Sequence, residues 1–529
     1  MRLVDFLDKG ASLGGDAPCL VCDGRTWTYD EVRDLAGRVA SALAGRGVVP
    51  GDKVAILSSN DPVAFTCVFG ISRAGAVWCP INPRNEADEN RELLDLFDCS
   101  VLVFQASYAE LVDRIRGDLP KITTLVCLDA DRDWALGWEE FLATPVVEEV
   151  AQQPSGDPRP DDDLALIVGT GGTTGRPKGV MLTGTNIETM TALTLIGYPW
   201  PDPGAEEGSR PTYLALAPLT HAAGVLCFPV LTRGGSIVVM RQPDVAGFLA
   251  NVAEHRVTHT FLPPTLIYMV LDHPDLERTD LSSLQCFWYG AAPMSAKRLE
   301  EALTRIGPVM AQLFGQTEAP MMISTMAPRD HFRPDGSIAH ERLSSAGRPA
   351  PLVTVSIMDG DGRILPAGER GEIVVRSSLV MRGYYKNPEA TAEASAHGWH
   401  HTGDIGYLSD EPGDVGFLHI VDRAKDMVIT GGFNVYSTEV EQALMAHPAV
   451  ADCAVIGLPD EKWGERLTAV LQLRPGRSVE VGEVQAFVKE RIGSVKTPKQ
   501  VEVWPDLPRS KVGKVLKTEV KAQLAGAEV

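Results

Sequence analysis

The sequence predicts an α/β protein: a large N-terminal domain of α/β subdomains that ends in a β-rich subdomain, followed by a small α+β C-terminal domain. Three observations predict it. Helical spacing of apolar residues alternates with short strand-like runs through the first 150 residues. Near Val353 the texture changes to short strands joined by glycine turns, and the last hundred residues return to a mixed pattern. At 529 residues the chain has material for three or four domain-sized units, taking about 150 residues for each.

In chain order, Tyr29 to Gly47 carries apolar residues at helical spacing and stops at glycine. Lys53 to Ser58 is a short buried-strand pattern, Ala64 to Ala74 is helical, and Val77-Trp78 opens another strand. Such alternation calls for parallel strands. The polar, proline-rich stretch Gln152 to Asp163 interrupts it as a surface crossover and leads into a strand over Leu164 to Val168. Alternation then continues to about residue 340. Val353 to Met358, the turn Asp359-Gly-Asp-Gly362 and Glu372 to Arg376 form the β-rich part, about 350–422. Beyond a junction near Asp422 to Asp426, a helix is expected over Ser437 to Ala446 and strands over Cys453 to Ile456 and Leu467 to Leu473. The expected domains are therefore 1–422 and 426–529. No repeat and no low-complexity tract is visible.

Composition narrows the function. Lys plus Arg number 49 and Asp plus Glu 70, a formal charge of −21, with 44% apolar and 22% charged residues. A surface this acidic repels nucleic acid and anionic lipid, and neither is an expected partner. Nine cysteines, an odd number scattered from Cys19 to Cys453, make no disulfide framework and fit a reducing cytoplasm. Cys19-Leu-Val-Cys22 has zinc-like spacing but no second pair, and its two thiols read as structural. Charges interrupt the first residues where a signal core would be apolar, and no run of about 18 apolar residues occurs. Neither export nor a membrane span is expected.

The richest stretch is Gly169-Thr-Gly-Gly-Thr-Thr-Gly-Arg-Pro-Lys-Gly179, directly after a strand. Glycines admit an anion close to backbone N–H groups, threonine hydroxyls add donors, and Arg176 and Lys178 add positive charge, a combination suited to polyphosphate. It is not a Walker loop, because the Gly-Lys-Ser/Thr ending is missing and Pro177 separates Arg176 from Lys178. His255 and His259, at i and i+4, lack the glutamate of a zinc-protease helix, and His400-His401 would face opposite ways in extended chain; both pairs read as structural. There is no GxSxG, so a serine hydrolase is unsupported.

The loop resembles that of the AMP-forming adenylating enzymes, which include acyl-CoA and aryl-CoA synthetases, adenylation domains of peptide synthetases and beetle luciferases. Gly171 stands where the family commonly has serine. Further signatures follow in the family's order: Gly290-Ala-Ala-Pro293, Phe314-Gly-Gln-Thr-Glu318, Thr402-Gly-Asp404 with Arg423, the run Asp422 to Glu441, and Pro508-Arg-Ser-Lys-Val-Gly-Lys514.

The resemblance implies the site. Thr170, Gly171, Gly172, Thr173, Thr174, Gly175 and Lys178 would hold ATP phosphates. Gly290, Ala291, Ala292 and Pro293 would lie against adenine, and Phe314 would stack on it beside Gly315 and Gln316. Thr317 would contact phosphate, Glu318 would bind Mg²⁺, and Asp404 with Arg423 would fix the ribose. Lys514 is the implied catalytic lysine and Lys425 the hinge, within 423–426, about which a mobile C-terminal domain turns. Gly431 and Gly432 are implied coenzyme A contacts. His221 is implied beside the acyl pocket and thioester tunnel, and Trp288, Gly290, Gly315 and Met321 join it by adjacency to the motifs. Val495 stands where the family usually has an aromatic residue near coenzyme A.

The implied activity is that of an ATP-dependent acyl-CoA synthetase acting through acyl-AMP on a fatty or aryl acid, with ATP, Mg²⁺ and coenzyme A. A standalone enzyme loading a carrier protein is the nearest alternative. His221 and the lack of an attached carrier domain favour coenzyme A. The sequence does not read out oligomeric state and is compatible with a homodimer.

Overall fold

The computed structural model describes residues 1–145, 147, 164–170, 177–202, 210–219, 222–509 and 515–527. They fall into two compact units, Met1–Thr354 with Val375–His400, and Val355–Val374 with His401–Val529.

Helix starts in the first unit follow from short polar residues. Thr28 caps Tyr29–Gly45: its side chain accepts from the Glu31 N–H while the Glu31 carboxylate accepts from the Thr28 N–H at 2.7 Å. Asp61 accepts from the N–H groups of Val63 and Ala64 to start Pro62–Arg73, and Thr183 with Asn186 does the same for Gly184–Gly197.

Two sheets form the first unit's core. The eight-stranded sheet runs Gly383–Tyr384, Lys178–Thr183, Leu164–Thr170, Val77–Ile81, Lys53–Leu57, Cys99–Phe104, Thr124–Cys127, Leu136–Gly137. Its centre, Lys53–Leu57, lies parallel to both neighbours, as the alternating sequence requires. The nine-stranded sheet runs Arg348–Pro349, Ala319–Met326, Met310–Gln316, Cys286–Gly290, His259–Leu262, Thr212–Ala215, Ser236–Val239, Pro18–Cys22, Arg25–Thr28. Its strands from Ser236–Val239 to Met310–Gln316 are parallel. Side chains alternate across it: Leu214, Leu262, Phe287, Tyr289 and Met310 join one apolar core, while Tyr213, His259 and Trp288 point to the other face.

A five-stranded sheet (Ile364–Leu365, Thr354–Met358, Gly371–Arg376, His400–Leu408, Leu418–Arg423), most of whose residues belong to the second unit, is the expected β-rich part. The turn at Asp359 closes as its sequence suggests, the carboxylate accepting from the N–H groups of Asp361 and Arg363. A further sheet joins Phe433–Val435, Val428–Thr430, Gly464–Leu473 and Val450–Asp460, with Gln500–Trp504 beside Gly464–Leu473. The expected strand Cys453 to Ile456 is the centre of one more than twice as long, because the long antiparallel partner Gly464–Leu473 supplies hydrogen bonds across Gly457 and Pro459 as well. Helix Ser437–Met445 starts where the sequence places it.

All nine cysteines are free and buried, Cys19 and Cys22 within the strand Pro18–Cys22. Burial pushes the thiols of Cys19 and Cys22 up, that of Cys22 to about 11. Among the described residues no helix is long and apolar enough to cross a membrane.

Candidate active site

In open sheets with parallel strands, ligands bind beyond the carboxyl ends of the strands. The first unit's candidate residues gather at such ends. Thr170 ends the strand Leu164–Thr170, Gly290 ends Cys286–Gly290, and Phe314, Gly315 and Gln316 end Met310–Gln316. Gly290 lies opposite Leu313 on the neighbouring strand, so the Gly290-Ala-Ala-Pro293 segment and the Phe314 motif are side by side.

Close packing fixes this corner. A Cβ on Gly290 would sit 2.4 Å from the Leu313 carbonyl oxygen, and one on Gly315 would sit 2.3 Å from the Met321 nitrogen. Between the pairs Phe314↔Ser324 and Gln316↔Ala319 the register slips, and Met321, at φ +64, folds over Gly315. Ala291, directly after Gly290, is also left-handed at φ +65. Such conformations cost of order 1–3 kcal/mol and persist where the surroundings over-determine them.

The pair Gln316↔Ala319 leaves Thr317 and Glu318 as the two-residue tip of a hairpin. Glu318 is half-buried there. The Tyr384 hydroxyl donates to its Oε1 at 2.8 Å, and the Met381 N–H donates to its carbonyl oxygen at 2.7 Å. The Tyr384 ring lies under the Lys178 ammonium, 4.8 Å from Nζ to the centroid. Burial, and then the charge of Glu318, holds the Tyr384 phenol above its ordinary range, so it stays a donor. On the other side of the motif, His400 Nε2 lies 3.0 Å from Gln316 Oε1. Lys178, Glu318 and Gln316 are thus brought together by Tyr384 and His400, two residues that the motifs do not include. A single half-buried carboxylate with one oxygen already held suits Mg²⁺, which takes few protein ligands and fills its shell with phosphate oxygens and water.

Trp288 shares a strand face with Gly290. It is fully buried among Tyr198, Trp200, Tyr213 and His259, at ring-centroid separations of 5.6, 6.0, 6.2 and 5.2 Å. His259 stacks on Trp200 at 4.2 Å, and burial lowers its imidazole to about 3, a packed neutral histidine as its sequence context indicates.

In the second unit, Asp404 and Arg423 are paired residues of adjacent strands, and the Arg423 Nε donates to Asp404 Oδ1 at 2.7 Å. Thr402 donates to the Ile373 carbonyl oxygen and accepts from the Asp404 N–H, which explains the threonine of Thr-Gly-Asp. Lys425 is exposed in a turn closed by the Asp426 and Met427 N–H groups on the Arg423 carbonyl oxygen. Asp422 accepts from the Ser437 N–H, from Ser437 Oγ at 2.8 Å and from Thr438 Oγ1 at 3.2 Å. Gly431 and Gly432, at φ +58 and +80, are the two-residue tip between Thr430 and Phe433, a turn that demands glycine-like conformations at both positions. Lys517 donates to Ser437 Oγ at 2.6 Å and pairs with Glu441 at 2.8 Å; burial opposes its charge, but the carboxylates raise its basicity overall.

Gly171, Gly172, Thr173, Thr174, Gly175, His221 and Lys514 lie outside the described residues. The segments flanking two of these stretches are fixed: Thr170 pairs with Lys178, and Arg509 bridges to Val515.

Residues 7–385 match the family of AMP-binding enzymes, and residues 439–514 match the AMP-binding enzyme C-terminal domain. The chain belongs to the AMP-binding enzyme family. Among curated members, a medium/long-chain-fatty-acid–CoA ligase, FadD8 of Mycobacterium tuberculosis, is 36% identical over 96% of this chain and 87% of its own length. A feruloyl-CoA synthase of an Amycolatopsis species is 36% identical over 94% of both chains. Among solved structures, the amide bond synthetase McbA of Marinactinospora thermotolerans superposes with a TM-score of 0.86 at 29% identity, covering 99% of this chain and 100% of that one.

Within this AMP-binding enzyme, Tyr384 and His400 hold motif side chains although neither belongs to a motif. Tyr384 lies in Gly-Tyr-Tyr-Lys386, which reads as an ordinary turn, and His400 reads as a structural histidine. Hydrogen bonds to partners 66 and 84 residues away give them their places, and no local pattern encodes such a distance.

Proposed function

We propose that the chain is an ATP-dependent acyl-CoA synthetase. A carboxylate attacks the α-phosphorus of ATP to give acyl-AMP and diphosphate, and the coenzyme A thiol then displaces AMP to give the thioester and release a proton. The observation that carries it is the convergence of Lys178 and Glu318 on Tyr384 at the carboxyl ends of the strands.

Two anions meet in the first step, so positioning and preorganised positive charge set the barrier. Lys178, with Thr170, Gly171, Gly172, Thr173, Thr174 and Gly175, would take the phosphates. Glu318 would hold Mg²⁺, which when bound would neutralise phosphate charge, and Thr317 beside it would contact phosphate. Gly290 to Pro293, Phe314, Gly315 and Gln316 would receive adenine, and Asp404 with Arg423 the ribose. Lys514 would stabilise charge at the reacting phosphorus, and Gly431 and Gly432 would meet coenzyme A in the second step, after a turn of 426–529 about Lys425 relative to 1–422.

For the acid, Trp288 supports a compact substrate. It fills the strand face two residues, or about 6–7 Å, below Gly290. With His221, Gly290, Gly315 and Met321 it would form a short pocket, better fitted to ring acids or short chains than to long ones. The two relatives named above act on fatty and aryl acids by their names, which covers both classes.

Diphosphate release from ATP and Mg²⁺ over a panel of aryl and fatty acids, with and without coenzyme A and with product masses, tests this. Acid-dependent release that yields a CoA thioester is expected. Acyl-AMP accumulating without thioester would replace coenzyme A by a carrier protein as acceptor, and no release with any acid would refute adenylation.

A further inference from the structure

Lys178 and Glu318 carry opposite charges and reach the same tyrosine, yet neither makes an ion pair among the described residues. A direct lysine–carboxylate contact would spend both charges on each other. Tyr384 contacts each of them instead, its hydroxyl on Glu318 and its ring on Lys178. We propose that Tyr384 is a positioning residue that holds Glu318 for a divalent cation and Lys178 for phosphate while keeping the two from pairing. The proposal rests on the reading of this corner as the site for ATP and metal.

The chemistry of a phenol fits the task. Its hydroxyl donates a neutral hydrogen bond to Glu318 Oε1, so it fixes the carboxylate without neutralising it. Its ring offers Lys178 a face that attracts the ammonium without supplying a counter-charge. A lysine or arginine at 384 would hold Glu318 but cancel it, and an aliphatic residue would hold neither.

The backbone around Tyr384 is tied to both partners. Tyr384 pairs with Val180 and Gly383 with Met181, two and three residues past Lys178. The Tyr385 N–H donates to the Gly179 carbonyl oxygen at 2.7 Å, and the Arg382 N–H to that of Met181 at 3.0 Å. The Met381 N–H reaches the Glu318 carbonyl oxygen, so residues 381–385 join the arm that carries Lys178 to the hairpin tip that carries Glu318. Thr391, on the helix Pro388–Ala394, accepts the Tyr384 N–H at 2.9 Å and completes the anchorage. Two side chains with separate phosphate and metal tasks are thereby held as one unit.

Two substitutions separate the two contacts. Tyr384→Phe removes the hydroxyl and keeps the ring; Tyr384→Leu removes both. Mn²⁺ binding in the presence of α,β-methylene-ATP, followed by electron paramagnetic resonance, should weaken about tenfold in Tyr384→Phe, the low end of what loss of a partner to a metal-binding carboxylate costs. The Mg²⁺ concentration for half-maximal diphosphate release should rise by the same factor, with the KM for acid unchanged. Metal-free binding of the analogue should be retained in Tyr384→Phe and weakened in Tyr384→Leu, and both variants should keep the wild-type unfolding midpoint to within a few degrees. Wild-type Mn²⁺ affinity in Tyr384→Phe would overturn the proposal. Glu318→Gln keeps that failure distinct from failure of the site: if it weakens Mn²⁺ binding and Tyr384→Phe does not, only the role of Tyr384 is lost, and if neither does, the metal assignment falls and the proposal with it.

Discussion

His259 and His331 are buried and neutral, and burial lowers them to about 3 and about 4 from an ordinary 6.5. Below pH 6.5 the unfolded chain therefore binds protons that the folded chain refuses, and stability falls with pH. Their contribution is whole above about pH 6.5 and is lost toward about pH 4, at up to about 1.4 kcal/mol per pH unit for each histidine. Urea midpoints should fall from pH 7.5 to pH 5.5; a flat profile would show that neither is held neutral as described. Lys514 belongs to the same scale. In the proposed role of a preorganised charge at the reacting phosphorus, its replacement by alanine should slow acyl-AMP formation by about 10² to 10³, measured by diphosphate release in a single turnover. A smaller effect than tenfold would remove it from the first step. What could be read at this scale was what stands together in the chain. Lys178 and Glu318 sit inside contiguous motifs, and Asp404 gains meaning from Arg423 nineteen residues on. His400 shows the limit. Adjacent histidines in extended chain do face different partners, Gln316 for His400 and Glu372 for His401, but parity says nothing about what a partner does.

At the level of elements, apolar periodicity and glycine stops placed helices and strands to within a few residues; the caps Thr28, Asp61 and Thr183, which act on neighbours three residues away or closer, are what the structure adds to fix three helix starts. Strand order was not legible. Pro18–Cys22 pairs with Ser236–Val239 across more than two hundred residues, and no periodicity selects that partner. The irregular hairpin Met310–Gln316 with Ala319–Met326 is where element geometry bears most on the site. Gly315→Ala would drive a methyl group into the Met321 backbone, which flexible side chains cannot relieve. We expect a loss of about 1–3 kcal/mol, as for other overpacked sites, together with weakened ATP binding, read from thermal unfolding with and without nucleotide. If nucleotide stabilises Gly315→Ala as much as wild type, the hairpin's shape matters to folding alone.

For the molecule as a whole, the proposed two-step reaction asks one site to serve two nucleophiles, and a turn about a hinge is one solution. The contacts described gather Val355–Val374 with the chain from His401 onward in one unit, and Lys425 lies inside it. A turn about Lys425 would have to break the bonds from Asp422 to Ser437 and Thr438, which lie on either side of it. Lys425→Pro, by fixing φ at the turning residue, should slow thioester formation at least tenfold more than acyl-AMP formation, roughly the effect of 1.4 kcal/mol on a barrier. Stopped-flow measurement of the two half-reactions decides it, and equal slowing of both would move the hinge elsewhere. The family and its fold were legible because several motifs recur in one order. Which compact unit each segment joins was not, since contacts and not composition decide that.

The nine buried thiols have a practical corollary. Eight of them, Cys19 to Cys286, belong to the first unit and Cys453 alone to the second. An alkylating reagent should therefore leave the native protein almost unlabelled, and each modified cysteine becomes a record of which part opened. Labelling of Cys453 alone marks loosening of the second unit, and labelling of the others marks loosening of the first. The chain carries its own set of local unfolding probes, with nothing introduced by mutation.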